Sequence, residues 1–294
     1  MGRFFDRIRY MLENVIVANP AELEKVKKRF QADGANKLHI LSDFDRTLTY
    51  TLVNGERGPS FTSVLRSDSK YLGDDYAKKA QVLSKKYHPI EINSKIPIEE
   101  KKKAMEEWWT THFDLLIKSG LNKKHLEEVV ESGKIKLREG AKEFFDLLKK
   151  YEIPLVIMSA SGLGGDVIPM FLKKEGKLFS NIYIISNSFI WDKNGNAVGV
   201  KEPIIHSLNK DETIIQDFPL IYEKVKDRKN VLLMGDNSED TGMIEGFGYD
   251  YLIKIGFLNE VVNENLEEYK KVFDVLIIND SSMTYVNTLL KEIL

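Results

Sequence analysis

Two aspartates two residues apart, Asp43 and Asp45, follow a short apolar run and head the segment Asp43-Phe44-Asp45-Arg46-Thr47-Leu48-Thr49. Later, Ser159-Ala160-Ser161-Gly162 and Gly235-Asp236-Asn237-Ser238-Glu239-Asp240 each follow another apolar run, and Lys210 precedes the last of these. Carboxylates from two loops, Asp43 and Asp236, can hold a hard Mg²⁺ ion through oxygen ligands and leave positions for water and phosphate oxygens. Such an ion screens an anionic nucleophile from an anionic phosphate, which otherwise repel by about 4 kcal/mol at about 4 Å in a site of intermediate polarity. Asp43 could then attack phosphorus and form an aspartyl phosphate. Asp45 is placed to protonate the leaving oxygen and later to activate water. Lys210 and the Ser159 hydroxyl could bind the non-bridging oxygens as charge builds, helped by backbone amides at the start of the next helix.

Each piece alone has a plainer explanation. Asp-x-Asp pairs are common in loops, and Asp236 with Asp240 could be a helix cap and a first-turn acid. Lys210 alone reads as a surface lysine. An EF-hand fails because Thr241, not glycine, follows Asp240, and Ser161–Gly165 fits neither the dinucleotide fingerprint nor a P-loop. An ordinary strand-to-helix turn explains that glycine-rich stretch equally well. What carries weight is the joint occurrence, in this order, at the ends of strands.

The positioning elements follow from periodicity. Apolar runs at Leu38–Leu41, Pro154–Met158, Ile182–Ser186, Val231–Met234, Tyr251–Ile255 and Val272–Ile278 predict strands, separated by helical patterns such as Gly140–Tyr151 and Asn259–Tyr269. Strands alternating with helices predict an α/β protein with a Rossmann-like parallel sheet, whose ligands sit beyond the carboxyl ends of the strands. Asn194-Gly195 predicts a hairpin turn decorating the sheet edge. From about residue 58 to 137 the periodicity is helical throughout, at Asp74–Tyr87, Ile98–Ser119 and Lys123–Ser132. That block predicts an inserted cap, 58–137, on a core formed by 1–57 and 138–294. Gly55 and Gly58 at the junction could serve as hinges.

Composition narrows the partners. The chain has 294 residues, 43% hydrophobic, with a formal net charge of −2 and charges interspersed, which argues against a nucleic-acid polymer. It has no cysteine, so disulfides, thiolate metal sites and cysteine nucleophiles are excluded. No apolar run approaches the roughly 20 residues of a membrane span. The N-terminal stretch Met1–Asn19 reads as an amphipathic surface helix, and Asp6 stands where a myristoylation signal wants Ser or Thr. A cytoplasmic monomer acting on a small molecule is expected.

Together, Asp43-Phe44-Asp45-Arg46-Thr47-Leu48, Ser159, Lys210 and Gly235-Asp236-…-Asp240 resemble the four motifs of the haloacid-dehalogenase superfamily. More narrowly, the chain is similar to the pyrimidine-type cytosolic 5′-nucleotidase III family. The likeness runs through Glu107-Trp108-Trp109, Leu137-Arg138-Glu139-Gly140, Ile205-His206-Ser207-Leu208-Asn209-Lys210 and Lys254-Ile255-Gly256-Phe257-Leu258-Asn259. It implies Mg²⁺-dependent hydrolysis of nucleoside 5′-monophosphates, pyrimidine ones first, with 7-methylguanosine monophosphate and transfer of phosphate to other nucleosides as further activities. Alternatives are a phosphatase for another small phosphomonoester and a non-catalytic nucleotide-binding protein. By the same resemblance Asp43 is the nucleophile, and Asp45 is the acid and base with its carbonyl on the metal. Asp236 completes the ligands, and Asp240 and Thr47 stand behind them. Ser159, the Ala160 amide and Lys210 hold phosphate. Glu91 matches a base-recognising residue of the cap, although sequence alone favours a solvated charge there. The chain departs from the family at His112, where a smaller polar residue is usual, and at Trp109, in place of a tyrosine; both are candidates for base contact. Trp108 and Trp109 should face different sides of their helix, with at least one in the core. The stretch Ser159–Asp166 is two residues longer than its family counterpart.

Overall fold

Short runs of branched and aliphatic residues without polar alternation suit strands covered on both faces. Here they build the middle of a seven-stranded sheet. The computed structural model describes residues 13–93, 95–210, 218–245 and 248–294. In chain order the sheet strands are β1 (Val15–Val17), β2 (Leu38–Ser42), β5 (Leu155–Ser159), β6 (Ile182–Ser186), β9 (Asn230–Gly235), β10 (Tyr251–Leu258) and β11 (Val275–Ile278). Their spatial order is β1-β11-β10-β9-β2-β5-β6, parallel throughout except that β1 runs antiparallel to β11. Every residue of β2, β5 and β9 is buried.

This order sets the position of the site. From β2 the chain moves to one side, through β5 and β6, then returns to the other side through β9, β10 and β11. The connections therefore diverge at β2, where an open sheet leaves a crevice beyond its carboxyl ends. Ser42 lies level with Ile157 of β5 and Met234 of β9. The loops that follow these three strands thus leave the sheet side by side.

Helices cover both faces: α1 (Pro20–Asp33), α6 (Ala141–Lys150), α7 (Gly164–Lys174), α8 (Pro219–Val225), α9 (Val262–Val272) and α10 (Thr284–Ile293). Four more lie between β2 and β5: α2 (Phe61–Ser67), α3 (Ser69–Ile92), α4 (Ile98–Lys118) and α5 (Lys123–Glu131). Gly73, at φ 80°, breaks α3 four residues after its start, which is why the helical period becomes regular only from Asp74. Phe61 of α2 packs against Phe44 at 6.1 Å and Phe171 of α7 at 5.5 Å, so one apolar core runs from the sheet into this block. The two crossing chains are also joined: Tyr50 donates to the Lys136 carbonyl at 3.1 Å and Arg138 to the Leu48 carbonyl at 2.9 Å.

Four expectations are revised. The described end of the expected N-terminal helix is a strand, β1; residues 1–12 lie outside the described residues, as does the helical segment expected after Lys210. The Asn194-Gly195 hairpin forms, as β7 (Phe189–Trp191) and β8 (Ala197–Val200), but as a separate sheet lying against α4 rather than at the edge of the main one. Phe189 supplies the reason, since its ring meets Phe113 of α4 at 5.6 Å. Asn54 and Gly55, with φ of 56° and 82°, form the primed turn of a small hairpin, β3 (Leu52–Val53) with β4 (Glu56–Arg57). That turn accounts for Gly55 without a hinge. Finally, the rings of Trp108 and Trp109 stack at 5.8 Å and 16° rather than diverging, although Trp108 does lie in the core, as expected of at least one of them.

Candidate active site

Asp43 is the first residue beyond β2, and its amide donates to the Met234 carbonyl of β9 at 2.9 Å, which extends the ladder one step and fixes the side chain's direction. It is 5% exposed. Lys210 Nζ donates to Asp43 Oδ1 at 2.6 Å and to Asp240 Oδ1 at 2.8 Å, and Thr47 Oγ1 donates to Asp43 Oδ2 at 3.4 Å. Asp43, Asp236 and Asp240 each bring one carboxylate oxygen into a group whose members lie within 4.8 Å of one another.

Three carboxylates so close, against one lysine, leave surplus negative charge in a buried place. Burial pushes the Asp43 carboxyl up to about 7; Lys210 opposes this, while Asp240 and Asp45 add to it. Burial also raises Asp236 well above the usual carboxylate range, with Asp43 and Asp240 adding to it. Asp45, which lines the same cavity, is pushed up to about 6 by burial against the pull of Arg46 and Lys210. Burial works against the Lys210 charge, yet Asp240 and Asp43 raise its pKa above the ordinary lysine value. Hard oxygen donors with excess charge are what a divalent cation of the Mg²⁺ type takes. The residues present fit such an ion.

Asp240 also satisfies its plainer explanation. Asn237 caps the short helix Ser238–Ile244 and Asp240 closes the box, its Oδ2 accepting from the amides of Asp236 at 3.2 Å and Asn237 at 3.1 Å. One of its oxygens therefore holds the loop while the other holds Lys210. Ser159 ends β5, buried, and Ser161 donates its amide to Ser159 Oγ at 3.2 Å. Residues 160–163 then lead directly into α7, so the glycine-rich stretch is a strand-to-helix turn. A Cβ on Gly162 would stand 2.4 Å from the Trp109 ring, so glycine there lets the indole reach the loop carrying Ser159 and Ala160.

A cavity of about 550 Å³ rises from this floor into the helical block, within the size range of small-molecule sites. Asp43, Asp45, Ser159, Ala160, Lys210 and Asp236 of the core line it together with Glu91, Trp109 and His112 of the helical block. Glu91 is not a freely solvated charge: Ser207 Oγ donates to its Oε1 at 2.8 Å, and His88 Nδ1 lies 3.2 Å from its Oε2. Trp109 stacks on His112 at 5.8 Å, and the Tyr76 hydroxyl lies 3.1 Å from His112 Nε2. Thr47 lies beneath the floor, fully buried.

Sequence reasoning missed three participants. Ser207 stood in a quoted run but without a role. Arg66 looked like any charge on an amphipathic helix. Arg138 is 1% exposed and donates to the carbonyls of Thr47 at 2.9 Å, Thr49 at 3.1 Å and Ser281 at 2.7 Å, so it ties down the loop that carries Asp43 and Asp45. A full-length arginine within the apolar-flanked Leu137–Gly140 run was the available signal.

Comparison with known proteins is consistent across the chain. A family model described as pyrimidine 5′-nucleotidase (UMPH-1) matches residues 46–294. The 7-methylguanosine phosphate-specific 5′-nucleotidase A of Xenopus laevis is 35% identical over 280 residues, covering 95% of each chain. A crystal structure of cytosolic 5′-nucleotidase IIIB bound to cytidine superposes with a TM-score of 0.86 at 30% identity, covering 95% of this chain and 93% of that one. A structure described as a probable phosphoserine phosphatase from Vibrio cholerae shares the fold at 12% identity and a TM-score of 0.56, covering 90% of this chain and 68% of that one.

Proposed function

Because the chain belongs to the pyrimidine 5′-nucleotidase (UMPH-1) family and is a phosphoric monoester hydrolase of haloacid-dehalogenase fold, we propose that it hydrolyses nucleoside 5′-monophosphates through a phosphorylated Asp43. The observation that carries this reading is one cavity lined both by an acidic, lysine-bearing group from the core and by stacked aromatics with a carboxylate from the helical block. Phosphate chemistry and nucleoside recognition each have a place in it.

In this reading Asp43, Asp236 and the Asp45 carbonyl would hold Mg²⁺, which when bound would offset the charge on the phosphate and on the carboxylates around it. An Asp43 carboxylate oxygen bonds to phosphorus as the bond from phosphorus to the 5′-oxygen breaks. Asp45, with its raised pKa of about 6, carries a proton more readily than an exposed aspartate and gives it to that oxygen. It then takes a proton from water, which attacks phosphorus and frees Asp43. Lys210, the Ser159 hydroxyl and the Ala160 amide bind the non-bridging oxygens. A nucleoside hydroxyl could replace water and receive the phosphate. Residues 58–137 act as the cap over a core of 1–57 and 138–294, and the protein works as a cytoplasmic monomer. Supporting the compartment, the superposed relative is a cytosolic enzyme, and among the described residues no helix is long and apolar enough to cross a membrane.

The test is phosphate release from a panel of nucleoside monophosphates, with and without Mg²⁺, on wild type and Asp43→Asn. Mg²⁺-dependent release that falls by at least about a thousandfold in the variant is expected, because the nucleophile itself is removed. Undiminished turnover in Asp43→Asn would remove the nucleophile assignment.

A further inference from the structure

The part of the cavity lined by the helical block contains a cation with no hydrogen-bonded or ion-paired partner among the described residues. Arg66, in the last turn of α2, lines the cavity and is half-buried. Among the described residues it donates no hydrogen bond and forms no ion pair. The other two arginines lining the cavity face acids: Arg57 pairs with Glu260 at 3.2 Å, and the Arg46 charge acts on Asp45 and Asp236. Burial lowers the Arg66 pKa, and only the phenol of Tyr76 acts to raise it. A guanidinium half removed from water without a partner is unfavourable unless a ligand supplies acceptors.

Its surroundings repeat the pattern. Burial and the nearby Arg66 hold His112 down to about 4, so its imidazole is neutral near pH 7. Burial raises the Tyr76 phenol, which keeps its proton, and its hydroxyl lies 3.1 Å from His112 Nε2. The charged group on this wall is therefore the Arg66 guanidinium, whose nitrogens are all donors. Stacking on Trp109 suits any base, since every base has a π-face. Discrimination must then come from edge groups and charge.

We propose that Arg66 sets base selection: it favours an uncharged base with carbonyl or ring-nitrogen acceptors and disfavours a base carrying positive charge, as 7-methylguanine does. This rests on the nucleotidase reading above. A guanidinium fork matches adjacent acceptors such as O6 and N7 of guanine. Methylation at N7 removes one acceptor and adds a charge of the same sign as Arg66. Glu91 would attract such a base, but Ser207 already donates to one of its oxygens and His88 Nδ1 lies 3.2 Å from the other.

The experiment measures kcat/KM for GMP, 7-methyl-GMP and an aryl phosphate, with Mg²⁺, on wild type, Arg66→Gln and Arg66→Lys. The ratio of 7-methyl-GMP to GMP cancels any loss common to both. That ratio should rise at least about tenfold in Arg66→Gln, where the like charge is removed, and stay within about threefold of wild type in Arg66→Lys, where it is kept. An unchanged ratio in Arg66→Gln, with nucleotides still cleaved, overturns the role of Arg66 alone. Cleavage of the aryl phosphate but of neither guanine nucleotide by wild type overturns the role of Arg66, whereas the nucleotidase reading falls only if the wider panel of nucleoside monophosphates is also left uncleaved.

Discussion

At the scale of single residues the site is a store of electrostatic strain. Asp43 and Asp45 would titrate near the usual aspartate value of about 3.9 in an unfolded chain, but stand at about 7 and about 6 in the fold. A raised carboxyl pKa means that the folded state holds its proton longer than the unfolded state does. The resulting stability is present in full below about pH 4 and is lost as pH rises through 7. A divalent ion must meet ionised ligands, so its stabilising effect grows over the same window. The melting-temperature shift on adding Mg²⁺ should therefore be larger at pH 8 than at pH 5.5; an equal shift at both would show that the acids do not titrate in this range. Asp236 makes the point sharper, because among the described residues no side chain donates to its carboxylate. Asp236→Asn should raise the melting temperature of metal-free protein by on the order of 3 °C, by relieving like-charge repulsion, while abolishing the Mg²⁺ response. Destabilised metal-free protein would instead assign Asp236 a structural role.

At the scale of elements, the catalytic loop is held from behind by parts distant in sequence. Arg138 reaches it from the start of α6, Asn259 from the end of β10, and Ser281 and Asp280 from beyond β11. Asn259 accepts from Arg138 at 3.0 Å and donates to the Arg46 carbonyl at 3.0 Å, and the Arg138 guanidinium lies 4.6 Å over the Phe257 ring. That gives a physical reason for the Lys254–Asn259 and Leu137–Gly140 runs: they build one clamp on residues 46–49. Arg138→Met would strand the Asp280 carboxylate and several carbonyls in a dry place, and should cost about 3–5 kcal/mol in urea unfolding. A loss below about 1 kcal/mol would mean that water replaces the clamp. The same comparison shows what the sequence could disclose. The six strands and their order of loops were legible because burial on both faces writes an unbroken apolar run. β1 was not, since three half-buried residues beside a charged stretch give no period. The convergence of Asp43, Ser159 and Asp236 was legible from strand ends alone. Arg66 was not, because its meaning lies in the lack of a partner, which only the folded neighbourhood defines.

At the scale of the whole molecule, the question is how a nucleotide reaches a cavity roofed by the helical block. Beside the cavity the block meets the core at Ser207 with Glu91 (2.8 Å), Thr62 Oγ1 with Ser161 Oγ (3.5 Å) and the Trp109 ring against Gly162, while farther back Phe61 packs on Phe44 and Phe171 and Lys174 pairs with Glu131 at 2.9 Å. Behind them, the paired crossing chains at Tyr50–Lys136 and Leu48–Arg138 give a short two-stranded connection about which the block could swing. If opening is part of turnover, binding and release must break the rim contacts each cycle. The chain offers a clean way to ask, because it contains no cysteine. Two hydroxyl oxygens 3.5 Å apart put their Cβ atoms at most about 6.3 Å apart, so a disulfide requires the two chains to close by at most about 2 Å. A Thr62→Cys, Ser161→Cys double variant, oxidised, would then pin the block shut without disturbing Asp43, Lys210 or Asp236. Nucleotide turnover should fall at least about a hundredfold on oxidation and return on reduction, since release through a closed lid replaces chemistry as the slow step. The reduced variant controls for the substitutions themselves. Full activity in the oxidised, cross-linked protein would show that substrate enters without separating the block from the rim, and the helical block would then be a fixed wall of the site.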